Sequence, residues 1–297
     1  MELCKLALDW TPNSNHIGFF VAQHKGWYQE VGIDLQVLDP AADGYATTPA
    51  KKVELGAADV ALCPFESLIS YRVKQDPVDL RALGTLFQED LSAVVVLESG
   101  PVQTPKQLDG CSYASYKARY EDGIVKAMVQ ADGGSGNLEI IYPNKLGIWN
   151  TLLEGNATAT WIFENWEGVQ AAQQGIDLRS FRLKDYNIPY GYSPILATTQ
   201  VQLQERSDLW QQFMEVTKKG FYAAAQDPAE AASILLKHVP VADRDVQFLE
   251  ASIKATVPAL GNEASWGKMD MDRVQQFLDW LYNMQLENKP WKASDFC

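Results

Sequence analysis

The chain has 297 residues, of which 46% are hydrophobic and 21% are charged, a composition typical of a globular protein with one large domain or two lobes. Its net charge of −13 would repel phosphate backbones and anionic lipid, so nucleic acid is not an expected partner. No apolar stretch reaches the roughly 18–20 residues that a membrane span needs, so membrane insertion is not expected either.

Strands and helices alternate over the first two thirds of the chain, which predicts an α/β fold with largely parallel sheets. Strands are predicted at 3–8, 33–38, 58–62, 80–87 and 93–97, with helices at 17–31 and 67–75. A new unit is predicted to begin at Pro101, with strands at 111–114, 138–142, 157–163 and 181–183 and helices at 121–130 and 150–154. After a strand at 195–198 the pattern is mainly helical, at 208–225, 228–238, 243–257 and 272–285.

Two stretches of the sequence resemble each other. They are ELGAADVALCPFESLISY and LEGNATATWIFENWEGVQ, and each runs from an acid and a glycine through an apolar strand to Phe-Glu and a helix. This recurrence favours two lobes that repeat one plan. Ligand-facing turns would then lie at the carboxyl ends of the strands, where open α/β sheets bind ligands.

The familiar catalytic motifs are missing from the sequence. There is no GxGxxG after a strand, no Walker loop and no GxSxG elbow, and the four cysteines show no metal-binding spacing. His24 is expected to be an exposed helix residue, and His238 suits a helix carboxyl terminus. His16 differs because it lies near a helix start beside Trp10 and Asn13, so a ligand role and a structural role stay equally open.

Four turns are candidates for one binding site. Two of them follow early strands: the turn from Trp10 to His16, and 63–67, where Glu66 and Ser67 begin a helix whose free N–H groups favour acceptor atoms. The third turn, SYASYKARYE at 112–121, carries Lys117 and Arg119, which suit either an anion or a solvated charge pair.

The fourth turn, 163–166, reads Phe-Glu-Asn-Trp. A carboxylate between two aromatic side chains suits an aminated ring, because the carboxylate accepts from the exocyclic amine while the indole stacks on the ring. The alternative of equal weight is a lid residue over the core of the lobe.

The order of these segments resembles a known family, beginning with DWTPNSNHIGFFVAQHKGWYQEVGIDLQV. This opening is similar to that of the family that joins bacterial solute-binding proteins of the sulfonate and thiamine-pyrimidine type to the fungal thiamine-pyrimidine synthases. Later family segments are matched by GAADVAL, TPKQLDGCSYA, YNIPYGYSPILATT and FMEVTKKGFYAAAQDPAEAASIL. The resemblance covers nearly the whole chain.

The resemblance implies an α/β, two-lobed periplasmic-binding-protein type II fold with two crossover strands and a cleft that closes on ligand. It would place lobe 1 at 1–96 plus 197–297 and lobe 2 at 97–196. In this fold Trp10 would stack on a flat ligand while Asn13 and His16 fix its edge.

The sequence departs from the synthase branch of the family. The fungal enzymes hold pyridoxal phosphate on a lysine, consume a histidine as an atom donor and handle iron through a cysteine-rich run. The matching positions here are Cys63 and Ser67, and 191–198 contains no cysteine. Without an amine at position 63, no Schiff base with pyridoxal phosphate can form there. We therefore predict no catalytic residue, no metal and no cofactor. Pyridoxal phosphate and iron are kept as the alternative cofactors.

A second departure concerns the ligand. Bacterial pyrimidine-binding members often carry a glutamate after the paired tyrosines of the return strand, whereas here Tyr192 is followed by Ser193. Glu66 or Glu164 could supply the carboxylate instead.

We therefore predict a protein that binds a small planar heterocycle, a thiamine pyrimidine precursor of the hydroxymethylpyrimidine or formylaminopyrimidine type, in the cleft between the lobes. The alternatives are a thiamine-pyrimidine synthase-like enzyme, with Cys63 as its reactive thiol, and an intracellular sensor or carrier. As written, the chain shows no leader and is expected in the cytoplasm; a leader before Met1 would make it periplasmic or cell-surface, with an ABC transporter permease as partner. The predicted ligand-binding residues are Trp10, Asn13, His16, Glu66, Ser67, Tyr116, Glu164, Trp166 and Tyr192.

Overall fold

A computed structural model describes residues 1–143 and 149–297. The described chain divides into two compact units. The first unit comprises 1–90, 192–271 and 293–297, and the second comprises 91–191 and 272–292. Within the described ranges, no helix is both long and apolar enough to cross a bilayer.

The first unit is built on a five-stranded sheet in the order β2–β1–β3–β10–β4, counted over the described residues. Its strands are β1 (Glu2–Ala7), β2 (Ile33–Leu38), β3 (Val60–Cys63), β4 (Leu80–Thr85) and β10 (Ile195–Thr199). β1 pairs in parallel with β2 and β3, while β10 pairs antiparallel with β3 and β4. The carboxyl ends of β1 to β4 and the amino end of β10 therefore share one edge of the sheet.

Helices cover the faces of the first sheet. They are α1 (Ile17–His24), α2 (Trp27–Glu30), α3 (Pro49–Glu54), α4 (Glu66–Val73), α8 (Gln200–Glu205), α9 (Ser207–Gln226), α10 (Pro228–Leu235) and α11 (Val246–Thr256). α1 and α9 approach so closely that a Cβ atom on Gly220 would lie 2.0 Å from the carbonyl oxygen of Gly18. This contact fixes α1, and with it the turn that precedes α1.

The second unit repeats the plan of the first. Its sheet has the order β7–β6–β8–β5–β9, with β6, β7 and β8 parallel and β5 antiparallel to β8 and β9. The strands are β5 (Ser92–Leu97), β6 (Ser112–Ala114), β7 (Glu139–Ile141), β8 (Ala159–Phe163) and β9 (Leu178–Phe181). The helices are α5 (Glu121–Ala131), α6 (Asn150–Leu153), α7 (Val169–Gln173) and α12 (Met271–Asn283), whose first residue closes the first unit. The predicted internal repeat is confirmed, because β3 and β8 occupy equivalent central positions.

The unit boundaries differ from the predicted lobes at three places. β5 belongs to the second unit because it pairs with β8 and β9. Residues 192–196 belong to the first unit because β10 pairs with β3 and β4. Residues 272–292 belong to the second unit, where the ring of Phe277 lies 5.4 Å from that of Tyr190.

Candidate functional site

Three chain segments of the first unit meet at the carboxyl edge of its sheet. β1 leads into residues 9–16, β3 leads into 64–67, and Tyr192 lies just before β10. The N–H of Phe65 donates to the carbonyl oxygen of Tyr192 at 3.0 Å, which joins the second segment to the third. This edge is where open α/β sheets bind ligands, and it holds six of the nine predicted site residues.

The turn after β1 is held by its own polar side chains. The Asn13 Oδ1 accepts from the Asn15 N–H at 2.8 Å, and its Nδ2 donates to the Thr11 carbonyl oxygen at 3.0 Å. Nδ1 of His16 accepts from the Asn13 N–H at 3.2 Å, so the ring proton lies on Nε2, which donates to Asp9 Oδ1 at 2.8 Å. The His16 side chain is fully buried.

These contacts give Asn13 and His16 a structural role in the turn. Both ring nitrogens of His16 and both amide atoms of Asn13 bond within the turn, so these residues shape it, and their predicted ligand contacts stay predictions. The charged group that reaches the surface is Asp9, whose side chain is 21% exposed. The sequence prediction missed Asp9; its place at the end of an apolar strand, seven residues before the buried histidine, was the available signal.

A buried hydroxyl cluster ties the same turn to α11. Ser14 Oγ accepts from Ser252 Oγ at 2.7 Å and from Thr256 Oγ1 at 3.2 Å. All three residues are at most 2% exposed. The turn is therefore anchored from behind and held rigid at the sheet edge.

Trp10 lies at the surface of this turn and has an aromatic neighbour. Its ring centroid is 5.3 Å from that of Tyr45, with an interplanar angle of 44°. Tyr45 is 45% exposed and has a left-handed backbone, with φ of 63°. The two rings form an aromatic surface beside Asp9, and Tyr45 was not predicted because it lies in a polar loop between β2 and α3.

Glu66 and Ser67 lie at the end of β3, next to Cys63 and Asp9. Burial is the main reason that the pKa of the Cys63 thiol is raised to about 12. The charges of Asp9 and Glu66 raise this pKa further, whereas a hydrogen bond with Ser67 lowers it. Those charges act on the thiol because the ends of β1 and β3 are adjacent. Glu66 is only 4% exposed and is the first residue of α4, where free N–H groups stabilise a carboxylate. The edge thus combines a buried carboxylate, a second carboxylate and a hydroxyl.

Tyr192 lies in the first unit with Glu66, not in the predicted second lobe. Its side chain is 2% exposed, and its hydroxyl oxygen accepts from the N–H of Asp270 at 3.0 Å. Its backbone oxygen accepts from Phe65, so the residue is fixed at both ends. Its predicted contact with the ligand stays a prediction.

The remaining predicted residues lie at the equivalent edge of the second sheet. Tyr116 follows β6, and Trp166 lies in a π-helical turn, Glu164–Gly168, that follows β8. Trp166 is 5% exposed. Burial, followed by the nearby charge of Glu167, raises the pKa of the Tyr116 hydroxyl well above its ordinary value.

Glu164 does not have the environment that the sequence predicted. Its two carboxylate oxygens accept from Arg182 Nε at 2.7 Å and from a terminal guanidinium nitrogen of the same residue at 3.0 Å. A bidentate arginine therefore already neutralises this carboxylate, and the prediction that Glu164 accepts from an exocyclic amine stays a prediction. Glu66 is its counterpart in the first unit, at the start of α4.

The loop that carries Lys117 and Arg119 bonds largely to groups of the protein itself. Glu121 accepts from backbone N–H groups of the loop, among them that of Ala118 at 3.1 Å. Arg119 donates to Glu287 at 2.9 Å. Arg119 thus forms a charge pair with the protein's own Glu287, while the Lys117 ammonium lies 5.3 Å from the centre of the Tyr142 ring.

The residues present do not fit pyridoxal phosphate at the position where the fungal synthases hold it. Cys63 and Ser67 stand there, and a buried thiol with a pKa of about 12 is neither an amine nor an ionised nucleophile at neutral pH. Among the residues that the structure describes, no group of three or more His, Cys, Asp and Glu side chains is arranged to hold a metal ion.

Comparisons with known proteins agree with this architecture. Residues 13–231 match the family model described as NMT1/THI5 like. The formylaminopyrimidine-binding protein of Halalkalibacterium halodurans is 23% identical over 299 residues, with 99% of this chain and 89% of that protein covered. A 4-amino-5-hydroxymethyl-2-methylpyrimidine phosphate synthase of Saccharomyces cerevisiae is 30% identical over 107 residues, covering 35% of this chain and 29% of that enzyme.

Among solved structures, the periplasmic aliphatic sulphonate-binding protein of Escherichia coli superposes with a TM-score of 0.72 at 14% identity, covering 99% of this chain and 91% of that chain. The predicted two-lobed α/β periplasmic-binding-protein fold is thereby confirmed. Since the family model matches well over half of the residues of this chain, the chain belongs to the NMT1/THI5-like family.

Proposed function

We propose that this protein binds an aminopyrimidine precursor of thiamine at the carboxyl edge of its first sheet. The observation that carries the proposal is Glu66, a carboxylate only 4% exposed at the start of α4, beside the turn that holds Asp9 and Trp10. Burying a carboxylate is costly, and binding sites are a common reason for a protein to retain one.

The chemistry of an aminopyrimidine matches the groups at this edge. Its flat ring suits stacking against Trp10, which already forms an aromatic surface with Tyr45. Its exocyclic amine is a donor, which suits the acceptor-only carboxylate of Glu66. Its ring nitrogens are acceptors, which suits the hydroxyl of Ser67.

The comparison with relatives supports the same ligand class. The Halalkalibacterium halodurans protein that covers 99% of this chain is named for binding formylaminopyrimidine. The synthase alternative has weaker support, because the yeast enzyme matches only 35% of this chain and because Cys63 and Ser67 do not fit its cofactor.

Isothermal titration calorimetry with two probes tests the proposal. The first probe is 4-amino-5-hydroxymethyl-2-methylpyrimidine, and the second is the same ring with hydrogen in place of the amine. The wild type should bind the aminated probe about tenfold more tightly or better, because a hydrogen bond to a carboxylate contributes about 1.5–3 kcal/mol. Glu66→Gln should bind the aminated probe more weakly and lose most of this preference.

Glu30→Gln is the matched control, since Glu30 is an exposed residue of the same unit in α2. It should retain the wild-type preference. A wild type that binds only alkanesulfonates or pyridoxal phosphate, or an unchanged preference in Glu66→Gln, would overturn the proposal.

We also propose that the protein delivers its ligand to an ABC-type permease outside the cytoplasm. The support is the solute-binding fold, shared with a periplasmic sulphonate-binding protein. Cells that lack the gene should then take up labelled 4-amino-5-hydroxymethyl-2-methylpyrimidine more slowly from a dilute medium. Unchanged uptake would favour the intracellular sensor or carrier.

A further inference from the structure

The last five residues of the chain, 293–297, return to the first unit and lie along β4. The N–H of Ala82 donates to the carbonyl oxygen of Phe296 at 2.8 Å, and Arg81 donates to that of Ser294 at 3.0 Å. β4 is the last strand of its sheet, so this C-terminal tail (293–297) covers a strand edge that would otherwise expose unpaired backbone groups.

The tail places one large side chain in the interior. Phe296 is fully buried, and its ring lies edge-on to that of Phe65, with centroids 5.6 Å apart. The guanidinium carbon of Arg72 lies 5.7 Å from the centre of the Phe296 ring, and the same side chain donates to the Asp295 carbonyl oxygen at 2.6 Å. Phe296 is thus held from both the β3 and the α4 sides.

The contact with Phe65 connects the tail to the candidate site. Phe65 is itself fully buried, immediately precedes Glu66, and donates its N–H to the backbone oxygen of Tyr192. Because Phe65 and Glu66 are consecutive residues, a movement of Phe65 would also shift the start of α4. The edge-on pair is the contact across which the tail restrains that movement.

We propose that Phe296 is a positioning residue that holds Phe65 and, through it, the Glu66 carboxylate in place for the amine of the ligand. This inference rests on the proposed function. It also gives a role to the end of the chain, which no sequence motif singled out.

A double-mutant cycle tests the inference by titration calorimetry with the aminated probe and with its analogue that lacks the amine. Phe296→Ala should weaken binding of the aminated probe about tenfold, the size expected when a charged hydrogen bond is misplaced, and should change binding of the analogue little. In the Glu66→Gln background the same substitution should have no further effect, because the group that it positions is gone.

Two other variants serve as controls, one for loss of folding and one for a change at the neighbouring residue. Phe296→Leu keeps apolar bulk in the interior, so it should fold and show the same selective loss to a smaller extent. Cys297→Ala alters the exposed neighbour and should bind both probes as the wild type does.

The outcomes separate the two proposals. Equal weakening of both probes by Phe296→Ala and Phe296→Leu, or an effect that persists in the Glu66→Gln background, would overturn this inference alone. A wild type without preference for the amine would overturn the proposed function as well.

Discussion

Replacement of His16 by alanine should destabilise the protein strongly, because the imidazole is a structural part of the turn after β1. The fully buried ring accepts from the Asn13 N–H at 3.2 Å and donates to Asp9 at 2.8 Å. Loss of the neutral bond costs about 1 kcal/mol and loss of the charge-assisted bond about 1.5–3 kcal/mol. The expected decrease in the free energy of unfolding is therefore about 3 kcal/mol, before the cavity left by the ring is counted.

Urea unfolding followed by circular dichroism measures this change, with His24→Ala as the matched control. His24 is an exposed residue at the end of α1, eight positions from His16, so its replacement should change stability by less than about 0.5 kcal/mol. The comparison removes any effect common to the loss of an imidazole from this part of the chain.

Unchanged stability together with lost ligand binding would refute the structural role of His16. If His16→Ala unfolds at the wild-type urea concentration while binding of the aminopyrimidine probe is lost, His16 contacts the ligand directly. Of the two roles that the sequence leaves open for His16, the ligand role would then be correct.

Three further results are expected. Gly220→Ala should lower the free energy of unfolding by about 1–3 kcal/mol in the same assay, because its Cβ would lie 2.0 Å from the Gly18 oxygen and would force α1 and α9 apart; wild-type stability would contradict that packing. The hydrogen bond from the Ser135 N–H holds the pKa of Asp109 below its ordinary value. The ionised Asp109 therefore stabilises the fold at pH values above the ordinary pKa of an aspartate. This stabilisation is lost as the pH falls through the lowered pKa of Asp109. The thermal midpoint of Asp109→Asn should therefore lie below that of the wild type at neutral pH and converge with it in acid, and a constant gap would refute this. Trp10→Ala should lose most of the fluorescence change that the aminopyrimidine probe produces, whereas an unchanged signal would place the ligand elsewhere.

The central strands of both units could be predicted because each is a short apolar run followed by a turn signal. The sequence did not show which of the two sheets a strand joins when its residues suit both. The stretch SAVVVL of β5 suits either sheet, and only its pairing with β8 and β9 places it in the second unit. The position of 272–292 depends on contacts such as that between Arg119 and Glu287, which are 168 residues apart in the chain.

The sequence predicts where the candidate turns lie better than it predicts the partners of their side chains. The turns after β1 and β3 do lie together, because parallel neighbouring strands end at the same edge. The roles of individual side chains depended on partners that are distant in sequence. Glu66 and Glu164 follow equivalent strands and the same Phe-Glu motif, yet only Glu164 meets Arg182 from the end of β9.

The central claim is that an aminopyrimidine binds against Trp10 with its amine at Glu66. A crystal structure of the protein with 4-amino-5-hydroxymethyl-2-methylpyrimidine tests it most directly. The ring should stack on the Trp10 indole, with the exocyclic nitrogen within about 3 Å of a Glu66 carboxylate oxygen. A ring bound away from the carboxyl edge of the first sheet, or an amine that bonds to another acceptor, would contradict it.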